Sequence, residues 1–244
     1  MSATEAERSG ASCLGRPRVH LRRTDSTNDR ARELAIAGAP HGTLVTASEQ
    51  TAGRGRQGRR WSAPAGSSLL MSLLLRSPPS LLPLLAAVAI CDVAGEEAMI
   101  KWPNDIVLVA AEGLAKLAGV LVEGRPQQGW AVLGIGVNVA VAVEELPAEL
   151  RGRAASLGRS SDDVEPLLAR LLAALERRLA EPAQATLRAW RERDALRGRD
   201  VSWSEGRGRA EGIDGAGRLI VALRDGARTT LGAGEVHLEQ LSSH

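Results

Sequence analysis

The chain has 244 residues, of which 44% are hydrophobic and 25% are charged, and its formal net charge is +2. This composition is typical of a globular protein with a sizeable core, and it excludes a disordered, collagen-like or disulfide-rich chain. The small net charge argues against a broad surface for nucleic acids or other polyanions. Cys13 and Cys91 show no metal-ligand spacing, which favours a reduced, cytoplasmic protein.

No segment has the pattern of a targeting or membrane-spanning helix. The N-terminus lacks the apolar centre of a signal peptide. The most apolar stretch, residues 81–93, is too short to cross a bilayer and contains Pro83 and Asp92. We therefore expect a buried helix there and no membrane partner.

The predicted elements begin after a flexible N-terminus of residues 1–16. Hydrophobic periodicity predicts strands and helices up to a boundary near Gly198, so residues 17–197 are expected to form one domain. Strands are expected at 19–22, 43–47, 68–75, 99–101, 105–109, 117–123 and 130–139, with a hairpin turn at 110–113, and helices at 31–37, 81–96, 164–179 and 184–196. Short runs divided by glycine then predict a small β-barrel over residues 198–244, with strands at 200–204, 209–213, 218–223, 228–231 and 236–238.

A compositional bias singles out five residues. The chain has no Phe or Tyr, only two lysines and only three asparagines. A residue kept against such a bias is expected to be there for its chemistry, whereas chance survival at turns and caps would leave it scattered. The five residues instead fall into four clusters, which are residues 26–28, 101–105, 116–121 and 134–138.

A long loop carries further positive charge. Residues 53–61 match the pattern G-x-G-x-x-G, but the Trp61–Gly66 segment cannot open the helix that a dinucleotide-binding loop requires. No Gly-Lys-Ser/Thr follows, so the loop is not a P-loop either. Four arginines and a terminal Trp61 suit a mobile loop that closes on an anion. A solvated basic loop or an RNA-binding Arg-Gly patch remains open on this segment alone.

Each cluster also has a simpler structural interpretation. Residues 103–105 alone would make a turn, Lys116 could extend to the surface from a buried strand, and Gly134–Asn138 could be a bulge with a capping amide. Together, however, the clusters supply amides, hydroxyls, fixed cations, a carboxylate and a stacking ring. The four histidines lie elsewhere, and no hydrolase or zinc signature is present. This inventory suits a nucleotide with a small polar ligand, and chemistry by positioning and charge neutralisation at phosphorus.

These motifs resemble those of the biotin protein ligase family, in order and spacing over residues 19–140, and the tail after Gly198 resembles the family's small C-terminal domain. The resemblance implies an α+β fold, with a mixed sheet like that of class II aminoacyl-tRNA synthetases and a Src-homology-3-like C-terminal barrel. It implies biotin and ATP as substrates, with Mg²⁺. The product biotinyl-5′-AMP would pass biotin to a lysine of the biotin carboxyl carrier domain of a carboxylase, such as acetyl-CoA carboxylase.

The resemblance also implies roles for particular residues. Arg56 and Lys116 would be catalytic, and Asp105 would hold the metal. The residues implied in biotin binding are Ser26, Thr27, Asn28, Gln50, Arg54, Gly55, Arg56 and Lys116. The residues implied in nucleotide binding are Arg59, Trp61, Lys101, Asn104, Asp105 and Asn138.

The resemblance leaves two alternatives and a question about partners. A lipoate ligase or octanoyltransferase is disfavoured by the motifs at 53–61 and 101–105. A nucleic-acid-binding module is disfavoured by an aromatic content of 2% and the low net charge. Only 25 residues precede Ser26, too few for a helix-turn-helix domain, so we expect no specific DNA binding. We expect a monomer or a homodimer.

Overall fold

The computed structural model describes residues 14–110, 113–125, 128–232 and 236–238. The flexible N-terminus expected at residues 1–16 lies outside this description up to residue 13, and so do residues 111 and 112 of the expected hairpin turn. The described elements are β1 (Arg18–Leu21), α1 (Thr27–Ile36), β2 (Leu44–Ala47), β3 (Ser68–Arg76), α2 (Leu82–Ala94), β4 (Met99–Lys101), β5 (Asp105–Ala110), β6 (Gly113–Arg125), β7 (Trp130–Asn138), α3 (Val164–Ala180), α4 (Ala183–Glu192), β8 (Asp200–Trp203), β9 (Gly206–Ile213), β10 (Leu219–Ala222), β11 (Arg228–Leu231) and β12 (His237–Leu238).

A seven-stranded mixed sheet organises the larger part of the chain. Its strand order is β1-β2-β3-β7-β6-β5-β4, with β1 and β2 parallel and the other pairs antiparallel. The central strands β3 and β7 are buried along almost their whole length, as their near-continuous apolar sequences predict. The expected α+β mixed sheet is confirmed.

Helices cover both faces of this sheet, so alternate residues of the central strands enter two different cores. Leu73 and Leu133 join the larger core, which also contains the buried residues of α2 and α3. Leu74 and Val132 point the other way and pack with Ala31 of α1 in a smaller core. The face that carries α1 is therefore only partly covered by helix, and the cleft described below lies on that face.

The C-terminal strands form a separate five-stranded antiparallel sheet with the order β11-β10-β9-β8-β12. The expected small C-terminal β domain is confirmed, although its described strands do not close into a barrel. Strand β12 has only two described residues, His237 and Leu238, and both pair with β8. No described residue joins β12 to β11, so the sheet stays open at that edge.

Two helix boundaries differ from the sequence-based expectation by more than two residues, and both differences have a tertiary cause. Helix α1 begins at Thr27, before the expected start, because the side-chain oxygen of Gln50 accepts the Thr27 backbone N–H at 2.7 Å. Helix α4 ends at Glu192, before the expected end, because residues 193–195 leave it to bond with Ile100 of β4. The Ile100 N–H donates to Arg193 O at 2.7 Å, and the Ala195 N–H donates to Ile100 O at 2.9 Å. None of the described helices is both long and apolar enough to cross a membrane.

The segment after α4 contains a buried carboxylate whose titration should affect stability. Asp194 is 8% exposed, its Oδ1 accepts the Leu196 N–H at 2.9 Å, and its Oδ2 has no hydrogen-bond partner among the described residues. Burial raises the pKa of Asp194 above the ordinary value of 3.8. The folded state therefore favours the protonated acid, and this contribution to stability is lost as the pH rises through the raised pKa.

We expect Asp194→Asn to remove this pH-dependent loss, since the amide keeps an oxygen for the Leu196 N–H and carries no charge. The free energy of unfolding would be measured by urea denaturation at acidic and neutral pH. The stability of the variant relative to the wild type should rise between the two pH values. An equal loss of stability at both would show that the charge of Asp194 is not the cause.

Candidate active site

The cleft has a floor made of glycine backbone. Gly134 and Gly136 lie on β7, and Gly119 lies beside them on β6, on the sheet face that carries α1. A Cβ atom at Gly134 would stand 2.1 Å from Asn28 Oδ1, and one at Gly136 would stand 2.6 Å from Trp61 Cε2. Both separations are too short for any side chain, so glycine at these two positions lets Asn28 and Trp61 lie directly on the strand.

A buried polar network fixes the first turn of α1 against the sheet. Gln50 Oε1 accepts both the backbone N–H and the hydroxyl of Thr27, at 2.7 and 3.0 Å. The Ser72 hydroxyl of β3 lies 2.6 Å from Asn28 Oδ1 and 2.8 Å from Thr27 Oγ1. Asn28 Nδ2 donates to Glu123 Oε2 at 2.9 Å. Because buried polar groups that are fully bonded are rigid, the network presets the amides that face the cleft.

The arginine-rich loop is folded back on itself above this floor. The Gly55 N–H donates to Arg59 O at 2.8 Å, and the Trp61 N–H donates to Gly53 O at 2.9 Å. A single 3₁₀ turn at residues 56–58 reverses the chain, with Gln57 in the left-handed region at φ 55°. The loop therefore forms a small hairpin that places the Trp61 ring on the glycine floor.

Carboxylates and an amide hold the two arginines of this loop that the resemblance assigns to biotin. Arg54 bonds Asp29 and Glu123, each at 2.7 Å. Arg56 Nη1 donates to Asn104 Oδ1 at 3.1 Å. The Arg54 side chain is 39% exposed, and such exposed pairs contribute little to stability. A bound carboxylate or phosphate can therefore replace these partners at small cost.

A lysine and an aspartate meet at the other side of the cleft. Lys116 Nζ lies 2.7 Å from Asp105 Oδ1 and 5.6 Å from the centroid of the Trp61 ring. The backbone of Lys116 is held on both sides, since its N–H donates to Arg153 O at 2.7 Å and its carbonyl accepts the Ala155 N–H at 2.8 Å. The Lys116 side chain thus starts from a fixed point on β6, within reach of both an anion and an aromatic face.

Most of the site residues predicted from the sequence come together here. The cleft has about 700 Å³ of atom-free space, part of which is open to solvent. The predicted residues that line it are Ser26, Thr27, Asn28, Gln50, Arg54, Gly55, Arg56, Arg59, Trp61, Asn104, Asp105 and Lys116.

Lys101 and Asn138 are not among the lining residues. Lys101 lies on β4, opposite Asp105 in the ladder. Asn138 is 8% exposed, and its Nδ2 donates to Ala155 O at 2.9 Å. Asn138 therefore holds the segment that brackets Lys116, and the structure gives it no direct access to the cleft.

Sequence reasoning missed three polar residues of the network. Glu123 joins Asn28 to Arg54, Ser72 joins Asn28 to Thr27, and Asp29 bonds Arg54. A signal for two of them was present, since Ser72 lies within an apolar run of β3 and Glu123 directly follows the apolar run of residues 117–122. A polar residue inside such a strand indicates either a bonded core position or a site.

Comparisons with known proteins identify the family of the chain. A family model described as "Biotin/lipoate A/B protein ligase family" matches residues 20–139, and one described as "Biotin protein ligase C terminal domain" matches residues 205–238. A biotin–[acetyl-CoA-carboxylase] ligase of Paracoccus denitrificans is 35% identical over 227 residues, which cover 82% of this chain and 92% of that protein. The chain belongs to the biotin protein ligase family.

Other relatives are longer. The bifunctional ligase/repressor BirA of Bacillus subtilis is 40% identical over 150 residues, which cover 57% of this chain and 45% of that protein. The homologue of Bacillus spizizenii is 38% identical over 62% of this chain and 49% of its own. The chain thus spans about half the length of these two ligase/repressors.

A solved structure supports the same family assignment. A biotin protein ligase from Aquifex aeolicus, in complex with biotin and ATP, superposes with a TM-score of 0.77 at 25% identity, covering 93% of this chain and 100% of that one. A Leishmania major ligase in complex with biotinyl-5-AMP, at 23% identity and a TM-score of 0.61, shares the fold.

The glycine floor yields a direct test of the cleft, with biotin, the ligand of the Aquifex aeolicus complex, as the probe. We expect Gly134→Ala to displace the Asn28 amide, because the new methyl group would overlap Asn28 Oδ1. Biotin affinity, measured by calorimetry, should fall at least tenfold, which corresponds to about 1.4 kcal/mol. Gly215→Ala is the matched control, since no atom lies within 4 Å of its new methyl group. Wild-type affinity in Gly134→Ala would show that the position of Asn28 does not determine binding.

Proposed function

We propose that the protein joins biotin to ATP as biotinyl-5′-AMP and then transfers the biotin to a lysine of a biotin carboxyl carrier domain, as in acetyl-CoA carboxylase. The observation that carries this proposal is one cleft that holds an amide-rich pocket at one end and a lysine and arginines at the other. A bicyclic urea with a carboxylate tail matches these two ends in chemistry and in order.

The pocket end suits the ring system of biotin. A urea has one carbonyl acceptor and two N–H donors, and the first turn of α1 offers donors and acceptors on Thr27 and Asn28 that the network has already oriented. Apolar residues complete the lining, namely Met71, Val120, Leu121 and Ile135. Leu121 pairs with Gly134 in the ladder, so its side chain lies on the face of the glycine floor and would pack on the sulfur-containing ring or its alkyl tail.

The cationic end suits the reacting groups. In the first step a biotin carboxylate oxygen attacks the α-phosphorus of ATP, the bond to the bridging oxygen breaks, and pyrophosphate leaves. Two anions must approach each other, so Arg54, Arg56 and Lys116 would offset their repulsion and stabilise charge at the pentacoordinate phosphorus. Each cation starts from a carboxylate or amide partner that an incoming anion can replace.

The second step needs no further group from the cleft than these cations. The amine of the carrier lysine attacks the acyl carbon, the bond from that carbon to the bridging anhydride oxygen breaks, AMP leaves with this oxygen, and the amine loses a proton to water. The same arginines would hold the phosphate of the leaving AMP. Closure of the loop at residues 53–61 would keep the mixed anhydride from water until the carrier arrives.

Asp105 would hold Mg²⁺ in this proposal. Its carboxylate faces the cleft, where it already binds one cation, Lys116 Nζ. No group of three or more His, Cys, Asp or Glu residues is assembled for a metal in the described part of the chain. Such a sparse donor set fits Mg²⁺, which takes one or two carboxylates and completes its shell with phosphates and water. The ion would supply further charge neutralisation on the phosphates.

Several wider features belong to the same proposal. Residues 17–197 would form the catalytic domain and residues 198–244 a second domain. The buried thiol of Cys91 is free, which suits a reducing compartment such as the cytoplasm. The protein would act as a monomer or homodimer, without sequence-specific DNA as a partner.

The activity is tested by pyrophosphate release from purified protein with ATP, Mg²⁺ and either biotin or lipoate. We expect release with biotin only, followed by transfer of labelled biotin to a carrier domain. The relevant control omits the acid, which measures background hydrolysis of ATP. Release with lipoate and none with biotin would overturn the proposed substrate.

Lys116 provides the sharpest prediction for the chemical step. Loss of one preorganised charge at a reacting phosphorus typically lowers the rate by about 10²–10³-fold, and we expect this loss in adenylate formation by Lys116→Ala. Thermal unfolding should change little, because the Lys116 side chain is 38% exposed. Arg228→Ala, which removes an exposed cation paired with Glu211 in the C-terminal sheet, should keep the wild-type rate. Near-normal pyrophosphate release by a folded Lys116→Ala protein would exclude the assigned role.

A further inference from the structure

One residue of the 101–105 cluster has a contact that the cleft does not explain. Trp102 is 2% exposed, and its ring packs in the larger core rather than lining the cleft. Its indole Nε1 donates to the carbonyl oxygen of Gly217 at 3.1 Å. Gly217 belongs to the turn between β9 and β10 in the C-terminal sheet. Trp102 therefore connects the 101–105 cluster to the C-terminal sheet.

The turn that receives this bond is rigid. Asp214 Oδ1 accepts the backbone N–H groups of Ala216 and Arg218, both at 2.9 Å, and Asp214 Oδ2 accepts Arg218 Nε at 2.7 Å. The Gly217 N–H donates to Asp214 O at 3.1 Å. With its backbone bonded in this way, the turn presents the Gly217 carbonyl in a fixed direction.

The turn is also seated closely on α2. Gly217 has φ +78°, and a Cβ atom there would stand 2.6 Å from Leu84 Cδ1 and 3.2 Å from Leu81 Cδ2. Glycine is needed here both for its backbone conformation and for this close approach. The Gly217 carbonyl, which accepts the Trp102 hydrogen bond, is therefore held in a fixed position against α2.

A short path runs from Trp102 to the reacting groups. Two residues further on, Asn104 Nδ2 donates to Val120 O at 2.8 Å, and Asn104 Oδ1 accepts Arg56 Nη1. The next residue, Asp105, binds Lys116. A shift of the Trp102 backbone would therefore move Asn104 and Asp105. These residues are the partners of Arg56 and Lys116, which the proposed function places at the α-phosphate.

We propose that the β9–β10 turn positions Asn104 and Asp105 for ATP through the Trp102–Gly217 hydrogen bond, so that Trp102 is a positioning residue for the nucleotide. The inference rests on the proposed function, because it assumes that this end of the cleft receives ATP. The part of the cleft proposed for the biotin ring should not respond, since no hydrogen bond among the described residues joins α1, Gln50 or Ser72 to the turn. The turn would therefore affect the affinity for ATP and not the affinity for biotin.

The test variant is Trp102→Phe, which keeps an aromatic ring in the core and removes only the N–H donor. A neutral hydrogen bond contributes about 0.5–1.5 kcal/mol net, so its loss should raise the KM and Kd for ATP by about 2- to 10-fold. The Kd for biotin, measured by calorimetry without ATP, should stay within twofold of the wild type. The kcat at saturating ATP should change less than KM, which separates positioning for binding from a role in the chemical step.

Trp130→Phe is the matched control. Trp130 is 3% exposed, and its Nε1 also donates a hydrogen bond, to the side-chain oxygen of Gln128 at 3.0 Å. It is the first residue of β7 and makes no bond to the C-terminal turn among the described residues. This control should lose a similar amount of thermal stability without a change in ATP affinity. Gly217→Ala gives independent support if it also weakens ATP binding, because it disturbs the same contact from the side of the turn.

Three outcomes distinguish the possibilities. A rise in the KM and Kd for ATP in Trp102→Phe, without a rise in Trp130→Phe, supports the positioning role. The positioning role is overturned if the two variants have equal KM and Kd values for ATP. It is also overturned if Trp102→Phe loses as much affinity for biotin as for ATP. If the wild type binds ATP but releases no pyrophosphate with biotin, the proposed function fails, and the Kd for ATP still decides the role of Trp102.

Discussion

The close contact between the first turn of α1 and the backbone of β7 is the constraint on which the site depends. Asn28 lies where a Cβ atom of residue 134 would be, so the helix can start directly on the sheet. From this contact, Asn28 reaches Glu123 on β6, and Glu123 reaches Arg54 in the loop. Because residue 134 is glycine and has no Cβ atom, the helix, the sheet and the loop can share a single hydrogen-bond network.

The cleft interleaves positive and negative side chains instead of presenting a bare cationic surface. Lys116 is paired with Asp105, and Arg54 is paired with both Asp29 and Glu123. These pairs are partly exposed, so they hold the cations in place without binding them strongly. Such an arrangement limits repulsion among cations in the free protein and leaves each cation ready to exchange its partner for a ligand anion.

Local sequence patterns predicted the fold well wherever a local cause determines the structure. The long apolar repeat of α3 and the nearly continuous apolar runs of β3 and β7 led to the observed elements. The failures have non-local causes. The start of α1 depends on Gln50, and the end of α4 depends on β4. Whether the C-terminal strands close into a barrel depends on strand pairing that short glycine-rich runs do not specify.

The scarcity of asparagine indicated the site for a reason that differs from simple ligand contact. Asn28, Asn104 and Asn138 each donate from Nδ2 and accept at Oδ1, the acceptor bonds coming from Ser72, Arg56 and Ser68. An ionised aspartate can only accept, so it could not replace any of the three. Two of these amides line the cleft, and the third holds the segment that brackets Lys116. A composition that avoids asparagine therefore marks positions where one side chain must bond in both senses, and in this chain those positions either line the reacting groups or support them.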